Sequence, residues 1–226
     1  KQRFCLALMA ISVENFDFSE YDLVICSSSW FAHWAITKPE TKFVVYCHSP
    51  ARYMWDWTNE YKRDLGLNSW WKKYFLKPFI ERTFYKNRQW DLMASSRADL
   101  IIANSKNTSN RIKKYYRRES KILYPPVETQ RFAKILEKNN FEKPFEKYYI
   151  IISALTEFKK IEIAISWFNE LEENLLIIWA GDFRENLEKL TKKENIKFAW
   201  AKYDDELVFL VQNSSGLIFP WEEDFG

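Results

Sequence analysis

Short apolar runs alternate with longer amphipathic stretches along nearly the whole chain, and this alternation restricts the fold more than any single motif. Asp22-Leu23-Val24-Ile25-Cys26, Lys42-Phe43-Val44-Val45-Tyr46-Cys47 and Asp99-Leu100-Ile101-Ile102-Ala103 read as strands. A long helix is expected near 69–95 and a second near 106–117, after Asn104-Ser105, whose side chains suit an N-cap. Lys121-Ile122-Leu123-Tyr124 then meets Pro125-Pro126, which breaks regular structure and marks a domain boundary. Beyond a polar stretch at 133–147 the pattern restarts, with strands at 148–152, 175–179, 196–198 and 217–219 and helices at 160–172, 184–193 and 204–213. Strands that are apolar throughout and separated by such helices predict parallel sheets covered on both faces. The expected fold is therefore α/β, with two parallel-sheet domains, residues 1–128 and 129–226, meeting at a cleft.

Composition bounds the rest. With 47% hydrophobic and 29% charged residues in 226, the chain has the balance of a soluble globular protein. It carries 11 Trp, 12 Tyr and 18 Phe but only 4 Gly, which predicts few backbone positions at positive φ. Cys5, Cys26 and Cys47 are isolated from one another, giving neither a zinc pair nor a disulfide framework, so a reducing, cytoplasmic setting is expected. No apolar run approaches the roughly 18 residues of a membrane span. Lys1-Gln2-Arg3 and the short apolar stretch after it lack a cleavage site, and the start reads as a mid-domain segment.

Charge is unevenly placed. Residues 1–128 hold 21 Lys/Arg against 13 Asp/Glu, and residues 129–226 hold 13 against 18. Within 62–118 the ratio is 15 to 4, and there Trp70-Trp71-Lys72-Lys73-Tyr74-Phe75-Leu76-Lys77-Pro78-Phe79 mixes aromatics with lysines. The segment has three readings: a solvated helix with its aromatics in the core, a contact with an anionic membrane, or a nucleic-acid surface. No recognition motif accompanies the third, and no nucleic-acid partner is expected.

The chain ends on Phe219-Pro220-Trp221-Glu222-Glu223-Asp224-Phe225-Gly226, an acidic turn directly after a short apolar strand. Carboxyl ends of parallel strands are where α/β proteins bind ligands, and carboxylates there accept from sugar hydroxyls while backbone N–H groups meet phosphate. An ordinary strand-ending acidic loop is the other reading of these eight residues.

Tyr46-Cys47-His48-Ser49-Pro50-Ala51-Arg52-Tyr53-Met54-Trp55-Asp56, Ala103-Asn104-Ser105 with Arg111-Ile112, and Ile122-Leu123-Tyr124-Pro125-Pro126-Val127 with Phe132 resemble the acceptor half and linker of the family 4 retaining glycosyltransferases. Ser153-Ala154-Leu155, Phe158-Lys159-Lys160-Ile161-Glu162, Ala180-Gly181, Asp204-Asp205-Glu206-Leu207 and the terminal turn resemble the donor half. The motifs run in the family's order, and the first of them is similar to mannosyltransferases of surface-polysaccharide assembly. The resemblance implies a GT-B fold, with two Rossmann-like domains facing a cleft, both truncated here relative to the family. It implies retaining transfer of a hexose, mannose first, from a nucleoside-diphosphate sugar, with GDP-mannose the leading donor, to a lipid-linked or polysaccharide acceptor. No cofactor besides the donor is expected, and the enzyme would sit in the cytoplasm or peripherally on the cytosolic membrane face.

By the same resemblance, Lys159 contacts the donor diphosphate, with Lys160 beside it, and Glu223 holds the transferred sugar. Gly181, Asp224, Phe225 and Gly226 belong to the donor site, His48 lies near the sugar, and Arg52 and Asn104 serve the acceptor side. The sequence departs from the family at Ala154, where arginine is common, and at Phe183 and Trp200, where glycine is common; the second glutamate of the family's pair would fall at position 231. No Asp-x-Asp occurs, so a metal-carboxylate site has no candidate and leaving-group stabilisation by cations and a helix N-terminus is expected instead. A paired-carboxylate glycosidase has no distinctive acid and nucleophile. A degenerate, non-catalytic protein that binds a nucleotide sugar or an anionic glycolipid stays open as the alternative.

Overall fold

The alternating pattern resolves into two sets of four parallel strands, described here in a computed structural model for residues 9–59, 70–133 and 141–225. The helix expected near 69–95 runs from Trp70 to Ser95, but the side chains of Trp70, Trp71, Lys72, Lys73, Phe75 and Leu76 lie outside the described residues, as do Cys5 and Gly226. The chain divides into two units, residues 1–125 with 224–226, and residues 126–223.

The first unit contains α1 (Met9–Glu14), β1 (Leu23–Ser28), a 3-10 turn (Ala32–Trp34), β2 (Lys42–Cys47), α2 (Trp70–Ser95), β3 (Leu100–Ala103), α3 (Lys106–Tyr115) and β4 (Lys121–Ile122). Its strands lie in chain order β1-β2-β3-β4, all parallel, with Val45 opposite both Cys26 and Ile101. Helix α3 begins where Asn104-Ser105 predicted, since the Ser105 hydroxyl accepts from the Thr108 N–H at 3.0 Å. Phe43, Val45, Cys47, Ile101 and Ala103 point to one buried face.

The opposite face corrects the expectation of cover on both sides. Leu23 and Ile25 are 52% and 67% exposed, and Val44, Tyr46, Leu100 and Ile102 are only partly covered. Apolar strands had implied two buried faces, but among the described residues this sheet has its helices and core on one.

A fully buried carboxylate ties the unit together. Asp91 of α2 accepts from Trp34 Nε1 at 2.9 Å and from Trp55 Nε1 at 2.7 Å, while His33 Nε2 lies 3.0 Å away. The Ser28 hydroxyl meets the other ring nitrogen of His33 at 3.1 Å. One helix side chain thereby anchors the segments that follow β1 and β2. Burial, and then the nearby Asp91 charge, raise the Tyr116 phenol well above its ordinary range.

The second unit contains α4 (Thr129–Ala133), β5 (Tyr149–Ile152), a 3-10 turn (Glu157–Lys159), α5 (Ile161–Glu170), β6 (Leu175–Ile178), α6 (Arg184–Leu190), β7 (Ile196–Ala199), α7 (Asp204–Gln212) and β8 (Gly216–Leu217). The parallel order is β7-β6-β5-β8. This sheet does have two covered faces. Ile151, Leu155, Ile161, Ile165, Leu175 and Ile177 form one core, while Tyr148, Ile150, Leu176, Ile178 and Leu210 form the other. Each such aliphatic side chain contributes about 1.5–3 kcal/mol by leaving water.

Scarce glycine did not keep the backbone out of the left-handed region. Arg117, Lys160, Trp179 and Asp204 all have positive φ, Lys160 at 51° between the 3-10 turn and α5. Ordinary residues take these places at a cost of roughly 1–2 kcal/mol each. Among the described residues no helix is long and apolar enough to cross a membrane.

Candidate functional site

In the second unit the chain leaves β5 toward β6 on one side and returns to β8 on the other, so the strand order reverses between β5 and β8. Loops at the carboxyl ends of such a pair diverge and leave a crevice, the usual ligand position in a doubly wound sheet. Here the two loops are 153–160 and 218–223. They bring Lys159 and Glu223 together, 64 residues apart in sequence, with the Lys159 ammonium donating to Glu223 Oε1. Trp221 Nε1 donates to the same oxygen at 3.1 Å, and the ammonium lies 4.6 Å from the centroid of that indole and 5.3 Å from that of Phe158. The pair is partly desolvated, with side chains 14% and 34% exposed.

Thr156 adds a polar group that the sequence reading missed. Its hydroxyl oxygen is buried and has no hydrogen-bond partner among the described residues. Lys160 does not join Lys159: its ammonium is half exposed and lies 4.0 Å from Glu162. Gly181 has a packing reason for being glycine, because a Cβ there would come within 2.2 Å of the Leu155 carbonyl oxygen. That close approach holds the 153–160 loop against the end of β6 through the bond from Leu155 N to Ala180 O, at 3.1 Å.

In the first unit the strand ends carry their own polar cluster. His48 follows β2, and its Nε2 lies 2.8 Å from the Ser27 hydroxyl at the end of β1. Its carbonyl accepts from Thr108 at 3.0 Å. Asn104, at the end of β3, is buried, and its Oδ1 has no partner among the described residues. Arg52 is engaged by Asp224, which packs with this unit: Nε and Nη2 donate to its two carboxylate oxygens at 3.1 and 3.0 Å. Arg111 Nη1 reaches the same carboxylate at 2.9 Å and its Nη2 binds Asp56, while Asn107 donates at 3.2 Å. Phe225 stands beside Tyr124, with ring centroids 6.0 Å apart. Ser27, Arg111 and Asp56 thus join the residues expected from the sequence; Arg111 and Asp56 lay within quoted motifs, whereas Ser27 gave no signal.

The sequence profile of Glycosyltransferase Family 4 matches residues 3–131, more than half of the chain. The chain belongs to Glycosyltransferase Family 4. Within curated proteins, this family member is similar to the GDP-Man:Man(3)GlcNAc(2)-PP-Dol alpha-1,2-mannosyltransferase of Candida glabrata, with 25% identity over 181 residues. The match covers 69% of this chain and 34% of that protein, so the chain spans about a third of its relative's length. Among solved structures it is similar to the pneumococcal O-GlcNAc transferase GtfA in complex with UDP and GlcNAc. That likeness has a TM-score of 0.42 and 18% identity, and covers 62% of this chain and 29% of the other.

Proposed function

We propose that this family 4 chain contributes to a retaining hexosyltransferase that moves mannose from GDP-mannose to a lipid-linked or polysaccharide acceptor. The observation that carries this reading is the meeting of Lys159 and Glu223 at the topological switch point of the second sheet. An ammonium and a carboxylate side by side match the two ends of a nucleotide sugar, with the cation for the diphosphate and the carboxylate for the sugar hydroxyls. As the bond from C1 to the leaving oxygen breaks, negative charge develops on the β-phosphate, where Lys159 offsets it. The acceptor oxygen bonds to C1 on the same face and its proton passes to the departing phosphate, so no metal is required. The buried Thr156 hydroxyl supplies a further contact beside Lys159. On the acceptor side we assign His48, fixed by Ser27, to the sugar, and Asn104 to the acceptor.

Placement at a membrane surface accords with α2, on which Tyr74 and Phe79 are 73% and 64% exposed beside the exposed Lys77. The Lys159–Glu223 pair also favours a second reading, a non-catalytic binder, because each charge already has a partner. Incubation with radiolabelled GDP-mannose and lipid-linked oligosaccharides separates the two. A glycolipid product carrying an α-linked mannose is expected. Binding of GDP-mannose without transfer to any acceptor would replace the enzyme with the binder.

A further inference from the structure

Trp221 touches both charged residues of the proposed donor site, and no family motif gives it a role. The residue is 9% exposed, packs in the same core as Leu155 and Ile161, and has its ring centroid 4.0 Å from that of Phe219. The indole is therefore fixed by packing, whereas Lys159 sits on a flexible four-carbon stem. Both donate to Glu223 Oε1, and no described residue bonds to Oε2. One carboxylate oxygen is held by the protein, and the other is left for a ligand.

The arrangement changes when a diphosphate enters. On the donor-site reading, its oxygens would draw the Lys159 ammonium away, and Glu223 would lose its charged partner as it grips the sugar. We propose that Trp221 is a positioning residue for the transferred sugar: its indole N–H keeps Glu223 Oε1 in place after Lys159 has moved to the diphosphate. Oε2 is then presented to the hydroxyls of a hexose. This rests on the donor-site reading above, and it separates the two parts of the donor, with Lys159 serving the diphosphate and Trp221 serving the sugar through Glu223.

Trp221→Phe keeps a ring under Lys159 and most of the packing but removes the N–H. Calorimetry with GDP and with GDP-mannose, on the 226-residue chain, reads the two parts apart. GDP affinity is expected to stay within about twofold of wild type, while the extra affinity of GDP-mannose over GDP falls about 10- to 150-fold, the size of one lost hydrogen bond to a carboxylate. Equal losses for both ligands, or no loss for either, would overturn the role of Trp221. Failure of the wild-type chain to bind GDP at all would instead overturn the donor-site reading itself.

A second measurement needs no variant at position 221. In 15N-labelled protein, the indole N–H resonance that Glu223→Ala shifts most reports this bond. On adding GDP to the wild type it should keep its hydrogen-bonded position. Movement to the position seen in Glu223→Ala would show that the indole releases the carboxylate with the lysine, and would refute the proposal.

Discussion

Replacing Glu223 by alanine should tighten the binding of GDP while weakening that of GDP-mannose relative to GDP. The carboxylate holds the Lys159 ammonium in the ligand-free protein, so a diphosphate must first break that pair. With side chains 14% and 34% exposed, the pair is screened by water, and its strength falls near the range of exposed ion pairs, about 0.2–1 kcal/mol. Removing Glu223 releases that amount to the diphosphate, an affinity gain of about 1.4- to 5-fold for GDP. Lys159→Ala acts with the opposite sign. A charge-assisted contact of about 1.5–3 kcal/mol is lost, less the pair that no longer has to be broken, giving a net loss of about 0.5–2.8 kcal/mol. Isothermal calorimetry on the two variants and the wild type measures both. Weaker GDP binding in Glu223→Ala, or unchanged binding in Lys159→Ala, would refute the idea that the two side chains compete for the same partner.

Gly181→Ala should destabilise the fold by about 1–3 kcal/mol in urea titration, because its Cβ would meet the Leu155 carbonyl oxygen at 2.2 Å; an unchanged midpoint would show that the loop yields freely. Asp91→Asn should cost about 1–3 kcal/mol, since an amide cannot accept from both Trp34 and Trp55 with its nitrogen facing one of them. Stability should fall as pH rises above about 9, where the unfolded thiol begins to ionise. Burial pushes the Cys26 thiol up to about 11 and the Tyr148 phenol up to about 12, so the unfolded chain releases these protons first and gains from alkali; thermal melts from pH 8 to 11 check the direction. Anionic vesicles should co-sediment the chain in a salt-sensitive way, and Tyr74→Ser/Phe79→Ser should reduce what remains at physiological salt; equal binding to neutral vesicles would remove the membrane role of α2.

Strand positions were legible because β-branched apolar runs have few alternatives. Lys42–Cys47 matched residue for residue, and Ser105 announced the start of α3. Pairing was not legible. The end of β1 at Ser27 and Ser28 depends on their register with Tyr46 and Cys47, which two polar residues cannot signal. The exposed side of the first sheet escaped for a related reason: Leu23 and Ile25 carry the same pattern whether or not anything covers them. At the site, motif resemblance supplied Lys159 and Glu223, but their contact follows from β8 lying beside β5, a matter of strand order. Trp221 and Thr156 were invisible because a tryptophan in a loop and a threonine before a turn have many ordinary uses. Asp91 gave no signal, since an acidic residue on a long polar helix is ordinary, and only the tertiary fold aims two indoles at it.

That carboxylate also limits how this half of the chain can be re-engineered. Exchanging the segments after β1 or β2 with those of a relative would separate Trp34 or Trp55 from a partner located on a different stretch of sequence. The transplantable unit is therefore discontinuous: both segments and the α2 turn bearing Asp91 have to travel as one cassette. A graft of the segment after β1 alone would leave the buried Trp34 indole N–H with nothing to receive it.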